Sequence, residues 1–582
     1  MSPPSPIATP LPPSSSARAS AKTARSTIAP SPISPTGPQL KIDALRAVLK
    51  GSAALGAPLP HAFDIVRSRP HGHVAAVLGT LHKLPLDRLL DKHDQRKRDL
   101  VLAMIVARVL EPASKLATSR ALPLDTLSST LGEILHLDSV TEDELYPAMD
   151  WLLPQQARIE ERLAKRHLAA GSVVLYDLTS TYFEGRHCPL GKLGHSRDDQ
   201  KGKLQIVFGL MTNAQGCPIA VEVYAGNTAD PKTVSDQVTK LRTRFGLQHV
   251  ILVGDRGMIT SARLRENLKP EPGIEWITAL RAPAIRKLAS AGVLQLSLFD
   301  SRDPAEISHP DFPGERLIAC YNPRLAEERT RKRPELLTAT EKELEKIAAA
   351  TRRSKRPLRG KQNIGLRVGK VLNRFKMGKH FEVQIENDSF TYKRKQANME
   401  KEQSLDGIYV IRTNVSAEAL SSEQAVRNYK SLSGVERAFR SLKTVDLHVR
   451  PIHHRQPDRV RTHILLCMLA YYVEWHMRQD LAPLLFEDDD KVAAQQQRTS
   501  VVAAAQRSLS AQAKVHSKRT KDDLPVHSFQ TLLADLATIV SNRVQPKDAS
   551  TPAFDIITVP TVLQQRAFEL LSVPLSLPSR SQ

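Results

Sequence analysis

The sequence predicts an α/β fold in which a mixed sheet is flanked by helices, and three observations lead to it. Apolar, β-branched stretches of strand type alternate with helical patterns between residues 172 and 280. Two of these stretches are joined by a turn at 213–216, which predicts an antiparallel hairpin. The other strands are separated by helical segments, so the chain order is strand, hairpin, helix, strand, helix, strand.

Each element of this core has a local signal. Asp230 is a suitable helix N-cap, Pro231 fits the first helical position, and Gly246 ends the same helix. The predicted elements are strands at 172–180, 249–257 and 275–280, the hairpin at 204–226, and helices at 230–246 and 260–268.

Shifts in composition divide the whole chain into six segments. Residues 1–40 are rich in Pro and Ser and contain no acidic residue, so they bury too little apolar surface to fold and should be disordered. The later segments are a helical N-terminal domain at 41–168, the first part of the α/β core at 169–284, an insertion domain with a charged helix and β strands at 285–420, the second part of the core at 421–482, and a C-terminal helical region of unassigned role at 483–582.

The charge of the chain indicates a polyanionic partner. Lys and Arg number 83 against 61 Asp and Glu, which leaves a net charge of +22. Such an excess is typical of nucleic-acid-binding proteins, and a merely basic protein is the alternative. Within the N-terminal domain, the helical patterns at 87–111 and 114–122 fit a DNA-binding helix-turn-helix or a plain helical bundle.

Apolar runs and cysteines argue against a membrane or disulfide-bonded protein. The longest apolar run, 464–473, is about half a membrane span, so no membrane partner is expected. The four cysteines lack the spacing of a zinc ribbon or a disulfide framework, which favours a reducing compartment.

Two carboxylates follow apolar strands in the predicted core. Asp177 stands in the stretch VLYDLTSTYFEG, and Asp255 follows HVILVG. Ligands collect at the carboxyl ends of strands in α/β sheets, so two such carboxylates on neighbouring strands could share a metal ion. Gly254 and Gly257 would allow a sharp turn around Asp255. The alternative for Asp177 is a capping role in the turn that follows its strand.

A third carboxylate is expected on a helix predicted at 421–445. Tyr429, Glu436 and Lys443 are spaced by seven residues, close to two helical turns, and form one polar stripe with Arg440. Apolar residues beside the stripe would dock the helix on the sheet and point Glu436 toward the two aspartates. The alternative is a solvated stripe in which Glu436 pairs with Arg440.

Three carboxylates placed in this way are typical of a two-metal site for phosphodiester chemistry. A pair of Mg²⁺ ions can activate a nucleophile and stabilise the leaving oxygen of a phosphodiester. Mg²⁺ prefers hard oxygen ligands and keeps some of its waters, so a few carboxylates suffice. The basic residues Arg256, Arg440 and Lys443 would bind phosphate groups.

One combination of motifs is specific. Tyr429, Glu436 and Lys443 match the helix pattern Y-x2-R-x3-E-x6-K, with Leu432 where arginine is usual. Further matching stretches are YDLTSTYFEG, HSRDDQKGKLQIVFGL, YAGNTADPKTV and VGDRGMIT. In this combination and order, the chain resembles bacterial insertion-sequence transposases of the DDE class, in the branch with a β-rich insertion before the last acidic residue.

The resemblance implies a ribonuclease-H-like fold with Asp177 on its first strand, Asp255 at its fourth, and Glu436 on the helix after the insertion. These three residues would be both catalytic residues and metal ligands, with Mg²⁺ as the cofactor and Mn²⁺ as a substitute. The expected DNA contacts are Arg256, Tyr429, Arg440 and Lys443.

The resemblance also implies an activity, namely hydrolysis at transposon ends followed by attack of the freed 3′-OH on target DNA. The expected partners are double-stranded DNA, at terminal inverted repeats and at the target, and a second copy of the chain in a homodimer on DNA. The expected location is the cytoplasm, in association with DNA.

Leu432 departs from the family pattern. The arginine usual there would contact phosphate near the cleavage site, and Arg427 or Lys430 are the possible substitutes, although Lys430 points elsewhere on the helix. Two other functions are compatible with the sequence. One is a ribonuclease-H-like nuclease that cuts without joining, and the other is an inactive DNA-binding regulator, which the three filled acidic positions disfavour.

Overall fold

The computed structural model describes residues 63–294, 296–299, 303–498, 500–503, 505–547 and 552–576. The tail expected at 1–40 lies outside these residues. The chain forms two compact units, residues 1–65 with 544–554, and residues 66–543 with 555–582. Of the first unit only 63–65, 544–547 and 552–554 are described, so the core and the sites discussed below belong to the second. Among the described residues, no helix is long and apolar enough to cross a bilayer.

Among the described residues the first element is a strand, six α-helices follow it, and strands and helices are mixed from residue 172 onward. The strands are β1 (Phe63–Pro70), β2 (Ser172–Tyr182), β3 (Gln205–Asn213), β4 (Pro218–Ala225), β5 (Val250–Val253), β6 (Ile274–Ala279), β7 (Ala305–Ile307), β8 (Arg316–Tyr321), β9 (Phe381–Ile385), β10 (Phe390–Arg394), β11 (Ile408–Thr413), β12 (Val540–Pro546) and β13 (Phe554–Ile557). The α-helices are α1 (Gly72–Lys83), α2 (Gln95–Leu110), α3 (Lys115–Arg120), α4 (Leu131–Ile134), α5 (Glu142–Leu152), α6 (Gln156–His167), α7 (Val234–Thr239), α8 (Ser261–Arg263), α9 (Ala282–Ser290), α10 (Pro323–Thr351), α11 (Lys361–Phe375), α12 (Gln396–Gln403), α13 (Ser422–Lys430), α14 (Leu432–Arg440), α15 (Pro457–Asp480), α16 (Lys491–Gln496), α17 (Leu509–Ser517), α18 (Phe529–Ala537) and α19 (Val562–Leu571).

An eight-stranded mixed sheet organises the second unit, in the order β4-β3-β2-β5-β6-β11-β8-β7. β2, β3 and β4 form an antiparallel meander, whereas β2, β5 and β6 run parallel to one another. The first five strands of the core therefore lie side by side in the order third, second, first, fourth, fifth. This confirms the predicted mixed sheet flanked by helices, and it is the ribonuclease-H-like arrangement that the resemblance implies.

The segment expected as an insertion contributes to two different cores. β7, β8 and β11 extend the central sheet beyond β6 by antiparallel pairing. Within it, the stretch from α10 to β10 has a hydrophobic core of its own around Leu337, Leu344 and Phe390, together with the β9–β10 hairpin. The separate core is therefore narrower than the predicted 285–420 segment, because a strand pattern does not reveal which sheet the strand joins.

The N-terminal helices share one hydrophobic core with the sheet. α2 and α5 pack against α15, and α15 also packs on β4. Every residue of α15 from Ile464 to Val473 is buried, as its apolar sequence requires. The second helix of the possible helix-turn-helix, α3, is only six residues long. The shared core and this short helix favour the helical-bundle interpretation.

A buried carboxylate joins a helix, a strand and the segment after α7. Glu160 on α6 is fully buried, and its Oε1 accepts the backbone N–H of Val221 in β4 at 3.1 Å. Its Oε2 accepts from Lys240 at 3.2 Å and from Arg244 at 2.9 Å. Because a buried charge is costly unless it is paired, these partners are what allow the carboxylate to lie there.

We expect Glu160→Ala to lower the free energy of unfolding by about 3–5 kcal/mol, because it removes the carboxylate that two cations share and leaves Lys240 buried with fewer partners. The matched control is Glu161→Ala. Glu161 pairs with Lys165 at an exposed site that solvent screens, so its loss should leave the free energy of unfolding almost unchanged. Urea denaturation of both variants measures the difference, and equal losses would contradict the structural role of Glu160.

Candidate active site

The two aspartates lie at the same level of neighbouring parallel strands. β2 and β5 pair with Leu175 opposite Val253, which is the last residue of β5. Asp177 and Asp255 each stand two residues further along the chain, so both lie at the level where β5 ends. Asp255 stands at the strand-end position at which ligands of α/β sheets gather. The expectation that Asp177 also follows the end of its strand was wrong, because β2 continues through Asp177 to Tyr182 and pairs with β3 along this stretch.

The chain turns sharply after β5, and this turn orients Asp255. A Cβ on Gly254 would lie 2.7 Å from Cε of Met258 and 2.8 Å from Cδ1 of Ile259, so a larger residue would displace both side chains. The Asp255 carbonyl accepts the N–H of Ile259 at 2.9 Å, and its Oδ2 accepts the N–H of Gly257 at 3.0 Å. The turn leaves Asp255 exposed.

Glu436 is carried on α14, which docks on the sheet through its apolar face. Phe439 packs edge-to-face against Phe208 of β3, with ring centroids 5.6 Å apart. One turn earlier, Gly434 faces Gly216 in the β3–β4 turn, where a Cβ on Gly216 would lie 3.7 Å from the Gly434 Cα. Glu436 itself stays exposed.

The helix predicted at 421–445 is divided in the structure. α13 and α14 meet at Ser431, and a π-helical turn follows α14. The seven-residue spacing assumed one regular helix, and the local change of pitch alters the stripe. Glu436 and Arg440 are exposed as expected, whereas Lys443 in the π-helical turn is buried.

The three carboxylates act on one another electrostatically. Burial raises the pKa of Asp177, the charges of Asp255 and Glu436 add to the rise, and the resulting pKa is about 7. The backbone N–H of Leu178, 2.8 Å from Oδ1, and the charge of Arg197 act in the opposite direction. Among the described residues, none of the three carboxylates has an ion-pair partner. A bound cation would stabilise neighbouring carboxylates that lack ion-pair contacts.

The donor set fits divalent cations that prefer oxygen ligands. Carboxylates suit Mg²⁺ and Mn²⁺, and Asp177 must lose its proton to bind either of them. In the described chain, the group of possible ligands that comes together is His167, Cys217 and His476, whose ligand atoms lie within 4.8 Å of one another. Asp177, Asp255 and Glu436 do not form such a group in this structure.

The His/Cys cluster is satisfied without a metal. The Cys217 Sγ lies 3.9 Å from Nε2 of His167 and 3.9 Å from Nε2 of His476. The Tyr472 hydroxyl bonds to the His167 Nε2 at 2.8 Å, and Arg166 donates to the same hydroxyl at 3.1 Å. A guanidinium this close disfavours a bound cation, so we assign the cluster to packing.

Tyr429 lies against the aspartates. Burial raises the pKa of its phenol, Asp255 and Asp177 raise it further, and Arg256 lowers it. The phenol is therefore protonated at neutral pH and can donate a hydrogen bond to a carboxylate or phosphate oxygen. Two other predicted DNA contacts, Arg256 and Arg440, are exposed.

Lys443 is buried beside the end of β2. Its Nζ donates to the Thr179 hydroxyl and the Ser180 carbonyl, both at 2.9 Å, and it pairs with Asp198. Burial lowers the pKa of this lysine. Arg450 reaches the same Asp198 oxygen at 2.6 Å. Lys443, which the sequence predicted to bind phosphate, is in this structure hydrogen-bonded to the strand that carries Asp177.

Asp198 is the site residue that the sequence interpretation missed. Its side chain is 2% exposed, and its Oδ2 has no hydrogen-bond partner in the described part of the chain. The residue belongs to HSRDDQKGKLQIVFGL, which carries part of the family resemblance. Nothing in that motif indicates that Lys443 and Arg450, far along the chain, converge on it.

The position where arginine is usual in the signature helix is filled by a buried residue. Leu432 is 9% exposed and packs in the core. Lys430 donates to backbone carbonyls of 501–503, two of them at 2.7 Å, and so does not replace the missing arginine. Arg427 is exposed and is the remaining candidate.

Comparison with known proteins identifies the family. The family described as "Transposase DDE domain" matches residues 171–473, just over half of the chain. The protein belongs to this family of transposases, which generally depend on a divalent metal. The matched stretch runs from β2 into α15 and contains Asp177, Asp255 and Glu436.

The chain also has a distant similarity to a solved transposase structure. The cryo-EM structure of a piggyBac transposase synaptic complex with hairpin DNA has 10% identity and a TM-score of 0.33, over 70% of this chain and 72% of that one. No curated protein matches the sequence. The narrower assignment to a bacterial insertion-sequence branch stays a prediction.

We expect Asp177→Asn to stabilise the metal-free protein at alkaline pH and to have less effect at acid pH. A folded-state pKa near 7 means that the folded chain holds this proton more tightly than the unfolded chain does. The stabilisation from the proton is complete below the unfolded carboxyl pKa and is lost as pH rises through about 7, whereas asparagine does not titrate. Thermal denaturation in EDTA, from about pH 5 to about pH 8, should show a growing advantage of the variant. A pH-independent difference would contradict the raised pKa.

Proposed function

We propose that the protein is a metal-dependent DDE transposase that cleaves DNA at insertion-sequence ends and joins the freed 3′-OH to target DNA. The observation that carries this proposal is the convergence of three carboxylates without ion-pair partners in the described chain, Asp177, Asp255 and Glu436, at the end of β5 in a ribonuclease-H-like sheet. The family match supports the same class of activity.

The three carboxylates would hold a pair of Mg²⁺ ions, or Mn²⁺ in their place. Ions of this kind activate the attacking water or 3′-OH and stabilise the leaving oxygen of the phosphodiester. Asp177 gives up its proton when a cation binds, so cation affinity rises with pH until this carboxylate is fully ionised. Tyr429 keeps its proton and donates a hydrogen bond toward Asp255 or a DNA oxygen.

The remaining groups position the DNA. Arg256 and Arg440 are exposed and engage phosphates by charge-assisted hydrogen bonds. Lys443 is held by Asp198, and it keeps the end of β2 in place while Asp177 binds a cation. The net charge of +22 supports double-stranded DNA as the partner, at terminal inverted repeats and at the target. A homodimer on DNA would hold two ends together.

We expect Asp177→Ala, Asp255→Ala and Glu436→Ala each to reduce end cleavage in Mg²⁺ by at least about 100-fold, because loss even of outer-shell groups around a metal costs 10–100-fold. Double variants should be hardly worse than single ones, because the three act as a unit. DNA binding in EDTA should survive, since a negative charge facing phosphate is removed. The measurement is cleavage of a labelled transposon end, beside a gel shift without metal.

Glu184→Ala is the matched control for these variants. Glu184 follows β2, pairs with Lys203 and should be dispensable for cleavage. Normal cleavage by Glu436→Ala would assign the third ligand elsewhere, to Glu423 rather than to Asp446, which is buried and paired with Arg478 at 3.0 Å. Normal cleavage by either aspartate variant would refute the mechanism. Addition of a labelled target distinguishes joining from the nuclease alternative, in which ends are cut and never joined.

We expect DNA binding to depend steeply on salt. If about 8 phosphates are neutralised, the logarithm of affinity should fall against the logarithm of salt concentration with a slope of about −7. Fluorescence anisotropy of a labelled duplex in EDTA measures this slope. A slope near zero would show that the positive charge of the chain serves another purpose.

A further inference from the structure

A cavity of about 720 Å³ lies between the α2–α3 segment and the chain around the start of α15. None of its lining residues is Asp or Glu, and many are basic. The lining residues that matter here are Arg108, Lys115, Arg450, Arg455, Arg459 and His463.

Lys115 is a buried cation without a counter-charge. It is 7% exposed, and in the described chain its ammonium has neither an ion pair nor a hydrogen bond. Burial lowers its pKa to about 7, and the nearby guanidinium of Arg108 acts in the same direction. A lone buried charge costs stability, so the free site favours the neutral amine, whereas an anion in the cavity would favour the charged form.

Arg108 repeats this pattern. It is 7% exposed, and its guanidinium donates to the Ala113 carbonyl at 3.2 Å, with no carboxylate partner in the described residues. His463 is 6% exposed and differs, because burial holds its pKa well below the usual value and its Nε2 bonds to the Val449 carbonyl at 3.1 Å, so its unpartnered Nδ1 is an acceptor. Arg459, by contrast, is neutralised by Asp150 at 2.9 Å.

A second cavity shares His448 and Arg450 with the first. Its volume is about 360 Å³, and Lys443 and Asp198 also line it. Lys443 donates to the Ser180 carbonyl at the end of the strand that carries Asp177. A strand of DNA that ran from the end of β2 to Lys115 would pass Lys443 and Arg450, which share the single carboxylate of Asp198.

We propose that the 720 Å³ cavity binds a backbone phosphate of the DNA strand that leads to the candidate active site, with Lys115 and Arg108 as its ligands. The inference rests on the proposed function, since it takes DNA as the anion. Phosphate oxygens accept strong charge-assisted hydrogen bonds from both cation types and need no carboxylate nearby. Because the second cavity shares His448 and Arg450 with this one, an extended DNA strand is favoured over a small free anion.

Substitution of Lys115 should change stability and DNA affinity in opposite directions. Lys115→Met keeps the shape of the side chain and removes the buried charge, so the free protein should become more stable. The same change removes a phosphate contact, so DNA affinity should fall. A lysine with a purely structural role would lose stability instead, and its replacement would leave the salt dependence of DNA binding unchanged.

The test uses the full chain in EDTA, with anisotropy of a labelled duplex across a salt series and thermal denaturation of the free protein. Lys115→Met should weaken binding about 5- to 10-fold and make the salt slope less steep by about 1, while raising the melting temperature. Lys115→Arg should retain binding. The control is Lys346→Met on α10, where an exposed lysine pairs with Glu343, and binding should not change.

Wild-type affinity and slope in Lys115→Met would overturn the proposal. If that variant does not fold, Arg455→Ala, at an exposed lining residue, carries the same expected change of slope. Inorganic pyrophosphate that stabilises the wild type and not Lys115→Met, without a change in DNA affinity, would assign the cavity to a small anion and overturn the DNA assignment. A protein that loses affinity on Lys115→Met but never cleaves DNA would refute the proposed function and leave the phosphate site standing.

Discussion

The parallel pairing of β2 with β5 is the constraint on which the candidate site depends. Its register puts Leu175 opposite Val253 and so brings Asp177 and Asp255 to one level, where β5 ends. A shift of this pairing by one residue would turn the side chains of a strand to its opposite face. Docking of α14 over the same sheet then brings Glu436 close enough for its charge to act on Asp177. The site is thus a property of tertiary pairing rather than of any single motif.

Holding like charges together lowers stability, and the structure offsets this outside the site. Glu160 and its cations join α6 to β4, and α15 is buried along most of its length. Near the three carboxylates, Asp198 pairs with both Lys443 and Arg450. Lys443 also donates to the Ser180 carbonyl and so holds the last residues of β2 in place. The carboxylates themselves have no such partners in the described chain. Strain of this kind at a functional site is tolerated when the surrounding packing fixes the geometry.

Local patterns in the sequence were enough to predict the core strands, the hairpin, and the position of Asp255 after its strand, whereas the continuation of β2 beyond Asp177 depends on its pairing with β3. The predicted features depend on residues within a few positions of one another. Three others do not: the break at Ser431, the burial of Lys443, and the junction at Asp198. Each depends on contacts between segments far apart in the chain. For the same reason, the sequence did not show that β7, β8 and β11 join the central sheet, or that β1, β12 and β13 are strands.

α13 and α14, the two helices that meet at Ser431, pack on different strands of the central sheet. α13, with Tyr429, packs on β6 and β11, which are neighbours in the central sheet, whereas α14, with Glu436, packs on β2 and β3. Tyr429 and Glu436 therefore rest on different strands of the sheet, although they are only seven residues apart in the chain. A change in the pairing of β6 with β11 would act on the tyrosine directly and on the glutamate only through the junction at Ser431.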